Sequence, residues 1–250
     1  MRTRSVHRLP SALVLVLASL ACAAGGGSPR SLVAGGARDG ADRVAVAPVN
    51  LSVGHAPELV VAEEIVHEAL IDYLLGRRLT VGIVHRGDAE RAWQEAVRTS
   101  EGETDSPEWL EGAASSFART LRSQSDFAFD YVLLPSVVYR KARVHGRIAS
   151  WDGVRRRVTT RRARGASQEH YFEDWEGKFT GLSLHVSVYE PDGRQVYEGW
   201  GGLDLTHDPL VVGASMAAHP IPQAEILGDP DHVREGVERA LRPYVGPGWR

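Results

Sequence analysis

Four places in this chain hold residues whose types and spacing could do chemistry. The octet EEIVHEAL carries Glu63, Glu64, His67 and Glu68. On a helix Glu63 and His67, four apart, share a face. A zinc hydrolase helix needs a second histidine four residues after the first, and that position is Ile71. Two ligands do not close a metal site, so the pair reads as a helical surface pair and no metal is expected. GASMA, Gly213 to Ala217, has the outline of a serine nucleophile elbow around Ser215, with Ala217 where the last glycine should stand. His207 and His219 fall in one stretch nearby. A hydrolase using Ser215 or the His207/His219 loop is therefore carried as an alternative. Neither G-x-x-x-x-G-K nor G-x-G-x-x-G occurs, so no phosphate cradle and no cofactor are expected. No catalytic set assembles from these pieces.

The fourth place is a charge run. Tyr139 to Gly165 carries ten arginines and lysines against one aspartate, in a chain whose formal net charge is -3. Asp152-Gly153 is a two-residue hairpin turn. It sets Trp151 opposite Val154, Ala149 opposite Arg156 and Arg147 opposite Val158, and leaves Ile148, Ser150, Arg155 and Arg157 on the other face. Neither face is apolar enough to cover a core, so the expectation is an arm wet on both sides. Arg140, Lys141, Arg143, Arg147, Arg155, Arg156, Arg157, Arg161 and Arg162 then form an anion-seeking surface, and arginine's planar fork suits phosphate and carboxylate. The acidic stretch QEHYFEDWEGKF follows, with Glu169, Glu173, Asp174 and Glu176 able to fold back and neutralise the arm. Its Tyr171, Phe172 and Trp175, with Trp151, are candidate protein-interface aromatics.

The N-terminus decides which anions are within reach. Arg2, Arg4 and Arg8 precede an apolar core from Leu9 to Ala21. That is too short to span a bilayer and right for a signal peptide. The sole cysteine, Cys22, ends this core. Its position matches the lipidated cysteine of bacterial lipoproteins, although Ser19 stands where those signals carry leucine. The alternative is cleavage after Ala21-Cys22-Ala23, which would leave a soluble periplasmic protein. Ala23, rather than aspartate, after the cysteine points to an outer-membrane lipoprotein facing the periplasm. Residues 1–21 are thus expected to be a leader and 22–41 a flexible tether. Loss of the leader removes three of the 29 basic residues and none of the 32 acidic ones. Export argues against nucleic acid as the partner. Lipid headgroups, an anionic envelope polymer or an acidic protein remain.

The elements that must position these groups read as α/β. RVAVAPV is a short strand apolar on both faces. Pro57 and Glu58 open a helix whose stripe is Leu59, Ala62, Val66, Ala69, Leu70 and Tyr73, closed by Gly76. TVGIVH is a second strand, and Asp88 should cap the next helix. Ser106 caps a third with Pro107 at its first position and Leu110, Ala113, Phe117 and Leu121 inward. FDYVLLPSVVY is a strand whose Pro135 demands an edge or bulge. Leu182, Leu184, Val186 and Val188 face inward on another, with Ser183, His185 and Ser187 outward. RQVYEGWGGLDL returns from a turn at Pro191-Asp192-Gly193, its glycines allowing a bulge. His207 to Gly228 reads as irregular. Asp229 and Pro230 open a last helix with Val233, Val237 and Leu241 inward. The expectation is one domain over residues 42–245, a mixed β-sheet with packed helices in the order β-α-β-α-α-β, then β-hairpins and a C-terminal helix.

RVAVAPV, the long helix and LTVGIVHRGDAERAWQEAV, followed by FDYVLLPSVVY and LSLHVSVYEPDGRQVYEGW, resemble the envelope lipoproteins with a TolB N-terminal-like domain. That group includes the curli-secretion lipoprotein and the lipoprotein activators of penicillin-binding proteins. The resemblance spans roughly Arg43 to Tyr244 and rests on hydrophobic patterns. It implies an α/β fold, an envelope location and a non-enzymatic role, with another envelope protein or a homo-oligomer as partner. The curli-like secretion channel is the remaining alternative. It would require a lipid-facing apolar hairpin, and the best hairpin here is loaded with arginine.

Overall fold

Val44, Ala45 and Val46 are apolar on both faces because both faces are covered. Val44 and Val46 enter one core and Ala45 another. This strand, β1 (Arg43–Val46), begins the described part of a computed structural model, which covers residues 42–52, 59–100, 106–158, 161–162, 176–211, 218–222 and 226–242. Cys22, the expected leader and tether, Pro57, Glu58, Tyr171, Phe172, Trp175 and Ser215 lie outside the described residues. The elements after β1 are α1 (Val60–Gly76), β2 (Thr80–Ile83), α2 (Arg86–Thr99), α3 (Pro107–Gln124), β3 (Tyr131–His145), β4 (Ile148–Trp151) and β5 (Val154–Arg157). They continue with β6 (Arg161–Arg162), β7 (Glu176–Tyr189), β8 (Gln195–Leu205), β9 (His207–Val211), β10 (Ala218–Pro222) and α4 (Pro230–Leu241). The fold is α/β, a mixed sheet with helices packed on both faces, in the expected order.

β3 is the axis of the sheet. One edge pairs antiparallel with β7 over its whole length, from Val132↔Tyr189 to His145↔Glu176. The other edge is shared: β1 runs parallel to its first residues, and β4 runs antiparallel to Arg143, Val144 and His145. β2 extends the sheet beyond β1, β5 beyond β4 and β8 beyond β7. α1 and α4 cover the face with Leu133, Val137, Leu182, Leu184, Val186 and Val188. α2 and α3 cover the face with Val132, Leu134 and Tyr189.

Pro135 sits where its missing N–H does no harm. The edge of β3 that faces β1 presents the carbonyls of Leu133 and Pro135, which accept from Ala47 and Asn50 at 3.0 Å each. β1 has ended by this point, so no ladder bond is lost. Asn50, held at φ 60, then fills the gap: its Oδ1 accepts the Val137 N–H at 2.7 Å.

Several local expectations are corrected by packing. α2 starts two residues before Asp88, capped by His85, whose Nδ1 accepts from Gly87 N at 3.3 Å. Asp88 instead pairs with Arg91 in the first turn. Ser106 caps α3 as expected, but Trp109, Ala114 and Ala118 join the core while Leu110 faces out. His207 to Gly228 is not irregular throughout: β9 and β10 pair antiparallel, and β6 adds parallel to β9. The back of β7 is not open, because Ser183 is fully buried. β8 carries the expected bulge, at the register shift between Leu182 and Ser183.

α4 lies close on β8 through small residues. A Cβ on Gly201 would collide with the Gly236 carbonyl, and one on Gly236 would meet Leu203 at 2.7 Å. The helix can approach only because both positions lack side chains. Gly201→Val is expected to cost roughly 1–3 kcal/mol by overpacking. Urea titration should show a lower midpoint at unchanged slope, and an unaltered midpoint would contradict this close approach.

Candidate functional site

The hairpin β4–β5 carries the register predicted for it: Trp151↔Val154, Ala149↔Arg156, and Val158 N donating to Arg147 O at 2.8 Å. Its turn has φ 37 at Asp152 and φ 79 at Gly153, the positive pair that a type I′ turn needs. It is not, however, an arm wet on both sides. Ala149, Trp151, Val154 and Val158 bury one face against Ala142, Val144, Phe179 and Leu205 in a third core. Trp151 Nε1 donates to Leu182 O at 3.1 Å. Trp151 is therefore a core residue, 6% exposed, and not a free interface aromatic. The tip is fastened as well. Asp152 accepts from Ser183 Oγ at 2.6 Å and from Arg140 Nε at 3.1 Å, and its carbonyl accepts Gly202 N at 3.2 Å. Continuing the twist of β3, β4 and β5 curl over until the turn meets the outer edge of β8.

This curl sorts the predicted cations. Arg140 is committed to Asp152, with its Cζ 4.6 Å from the Trp200 ring centroid. Arg147 is half-buried. Arg156, 5% exposed, is turned inward to α4, where it pairs with Glu235 and donates to His232 O at 3.2 Å. Both Arg140 and Arg156 are thus structural rather than solvent-facing. The side chains of Arg161, Arg162 and His219 lie outside what is described.

The remaining cations share one face. Cross-strand partners point to the same side of a sheet. Arg155↔Ser150, Ser150↔Arg143 and Arg143↔Lys178 therefore form a single row across β5, β4, β3 and β7. Lys141 lies two residues along β3 from Arg143, and Arg157 two along β5 from Arg155, on the same side. All five are exposed, and none forms an ion pair with a described residue. Glu176 closes one corner of the face, 3.2 Å from His145. Lys178 escapes a reading of the charge run because the acidic stretch separates it in sequence. The strand alternation that marks Leu182 and Leu184, continued backwards, would have found it.

The Glu63–His67 pair is not a surface pair. Glu63 is buried, accepting from Asn50 Nδ2 at 3.1 Å and from Arg86 Nη2 at 2.9 Å. This joins α1 to the ends of β1 and β2. His67 Nε2 is buried without a hydrogen-bond partner. Burial pushes the His67 pKa below its ordinary value, and the nearby Arg86 charge adds to this. His207 Nδ1 lies 2.7 Å from Thr206 Oγ1. Among the described residues no group of three His, Cys, Asp or Glu could hold a metal, and no helix is long and apolar enough to cross a membrane.

The geometry defines an α/β domain with a cationic sheet face. Comparison with protein-family models, with curated proteins and with solved structures finds no match.

Two outcomes follow for stability. Arg156→Ala removes the buried guanidinium from its seam against α4, orphans the His232 carbonyl contact and leaves Glu235 paired with Arg239 alone, so it should destabilise by about 2 kcal/mol, whereas Arg155→Ala and Arg157→Ala should stay within about 0.5 kcal/mol. Equal losses in urea titration would contradict the division between inward and outward arginines. For His67, the lowered folded pKa means the unfolded chain takes up the proton first. Its contribution is present above the unfolded value of about 6.5 and is lost as pH falls through the lower folded value. The wild-type urea midpoint should drop on acidification below about pH 6.5 more than that of His67→Leu; parallel pH profiles would exclude this role.

Proposed function

We propose that the chain is an exported, non-enzymatic outer-membrane lipoprotein, anchored through Cys22, that acts as a periplasmic protein-binding or assembly module. The observation that carries the binding part is the row Arg155–Ser150–Arg143–Lys178, flanked by Lys141 and Arg157. Five cations on one rigid sheet face create a positive potential that attracts anionic groups and weakens with salt. Each strand is fixed by pairing, so the charges need little ordering when they bind. The leader and the lone cysteine support the envelope assignment, and the pattern resemblance to lipoproteins with a TolB N-terminal-like domain supports a role in assembly. Export limits the partners to envelope components with accessible carboxylates or phosphates.

Two measurements test the two halves. Cells fed radiolabelled palmitate should label the wild type and not Cys22→Ser; label retained in that variant removes the anchor. Envelope fractions passed over the wild type and over Lys141/Arg143/Arg155/Arg157→Ala should differ at low salt, with partner recovery at least several-fold lower for the variant and the difference shrinking as salt rises. Equal recovery under all conditions removes the cationic face from the binding role.

A further inference from the structure

The cationic face has a counterpart on the same molecule. Glu64, Glu68 and Asp72 follow one another at four-residue intervals along α1 and are all exposed. None of the three is in an ion pair with a described residue; the helix pairs with Arg86 through Glu63, which points inward. Val61 and Leu75, 68% and 53% exposed, stand at the two ends of this line. At about 1.5 Å per residue, Glu64 to Asp72 spans about 12 Å. The cationic row crosses four strands about 4.8 Å apart, so Arg155 to Lys178 spans about 14 Å. An acidic line and a basic line of nearly equal length, each on a rigid element, are complementary in charge and in extent.

Their placement adds a symmetry argument. Lys141 and Arg143 are on the same side of β3 as Leu133 and Val137, and that is the side on which α1 packs. The outer line of α1 and the cationic face therefore both open on one side of the sheet. They cannot meet within one chain, because each is held by the same sheet. A two-fold axis places the line of each copy over the face of the other and makes the contact twice, which closes the assembly. Resting on the binding role proposed above for the cationic face, we propose that its partner is the α1 acidic line of a second copy of this chain, in a two-fold dimer. Half-buried Ile148 and the exposed Val61 and Leu75 supply apolar contact around the charges. Among the described residues, Arg77 and Arg78 at the end of α1 and the Glu176–His145 pair at the corner of the face also border the contact.

A charge-reversal cycle on the Cys22→Ser chain, which carries no lipid, tests this by sedimentation equilibrium at low and at high ionic strength. The parent chain should dimerise at low salt and dissociate at high salt. Reversing the line (Glu64→Lys, Glu68→Lys, Asp72→Lys) or the face (Arg143→Glu, Arg155→Glu, Arg157→Glu) should each raise the dissociation constant at least tenfold. The chain carrying both reversals should dimerise again, an outcome that misfolding cannot imitate. A parent chain that is monomeric at low salt, or a double reversal that stays monomeric, overturns the dimer. If the dimer fails while the face reversal still abolishes salt-sensitive recovery of envelope partners, the cationic face stands with another occupant. If that recovery is also unchanged, the binding role falls with the dimer.

Discussion

One strand longer than its neighbours governs this fold. β3 runs for 15 residues and is paired along one edge by β7 throughout. Its other edge is satisfied twice, first by β1 and then by β4. Backbone donors and acceptors must be paired once buried, so the change of partner needs a device at the junction. Asn50 is that device. Its left-handed backbone and its amide side chain hold Val137 N–H and Glu63 together, beside a proline that has no donor to satisfy. Because β3 extends beyond the helices, the sheet has a second half with a core of its own.

That second half is small and is closed by the hairpin curling onto β8. Trp151 is the largest side chain of this core, and Gly181 and Gly202 make room for its ring. The turn residues then fasten the hairpin through Asp152 to β3, β7 and β8. The alternation of a strand decides the rest. Burying Ala149, Trp151, Val154 and Arg156 on one face obliges Arg155 and Arg157 to face solvent on the other. The cationic face is thus the outer surface of a buried core. Its charges are displayed by a framework that cannot easily rearrange to hide them, which suits electrostatic attraction of a partner.

Acidic residues on α1 belong to the same logic. Val66, Leu70 and Leu74 are fully buried against the sheet, so residues 64, 68 and 72 fall on the far side of the helix. Both surfaces that bear on the proposed assembly are therefore outward projections of core packing. Glu63, one residue before this line, shows the contrast: it faces the interior and is absorbed by Asn50 and Arg86.

Local chemistry in the chain determined much. Alternation identified Leu182, Leu184, Val186 and Val188, the Asp152-Gly153 dipeptide set the hairpin register, and Ser106 and Asp229 marked helix starts. These depend on neighbours within a few residues, where backbone geometry is dictated by side-chain type. The sequence also placed the cations on a hairpin without saying which would remain at the surface. Only the tertiary structure decided that Arg156 and Trp151 turn inward, that Lys178 joins the row, and that Glu63 is buried. Those outcomes depend on contacts between residues far apart in the chain, such as Arg156 with Glu235 and Trp151 with Leu182. A strand face is polar or apolar by composition, but whether it is covered depends on where another element comes to rest.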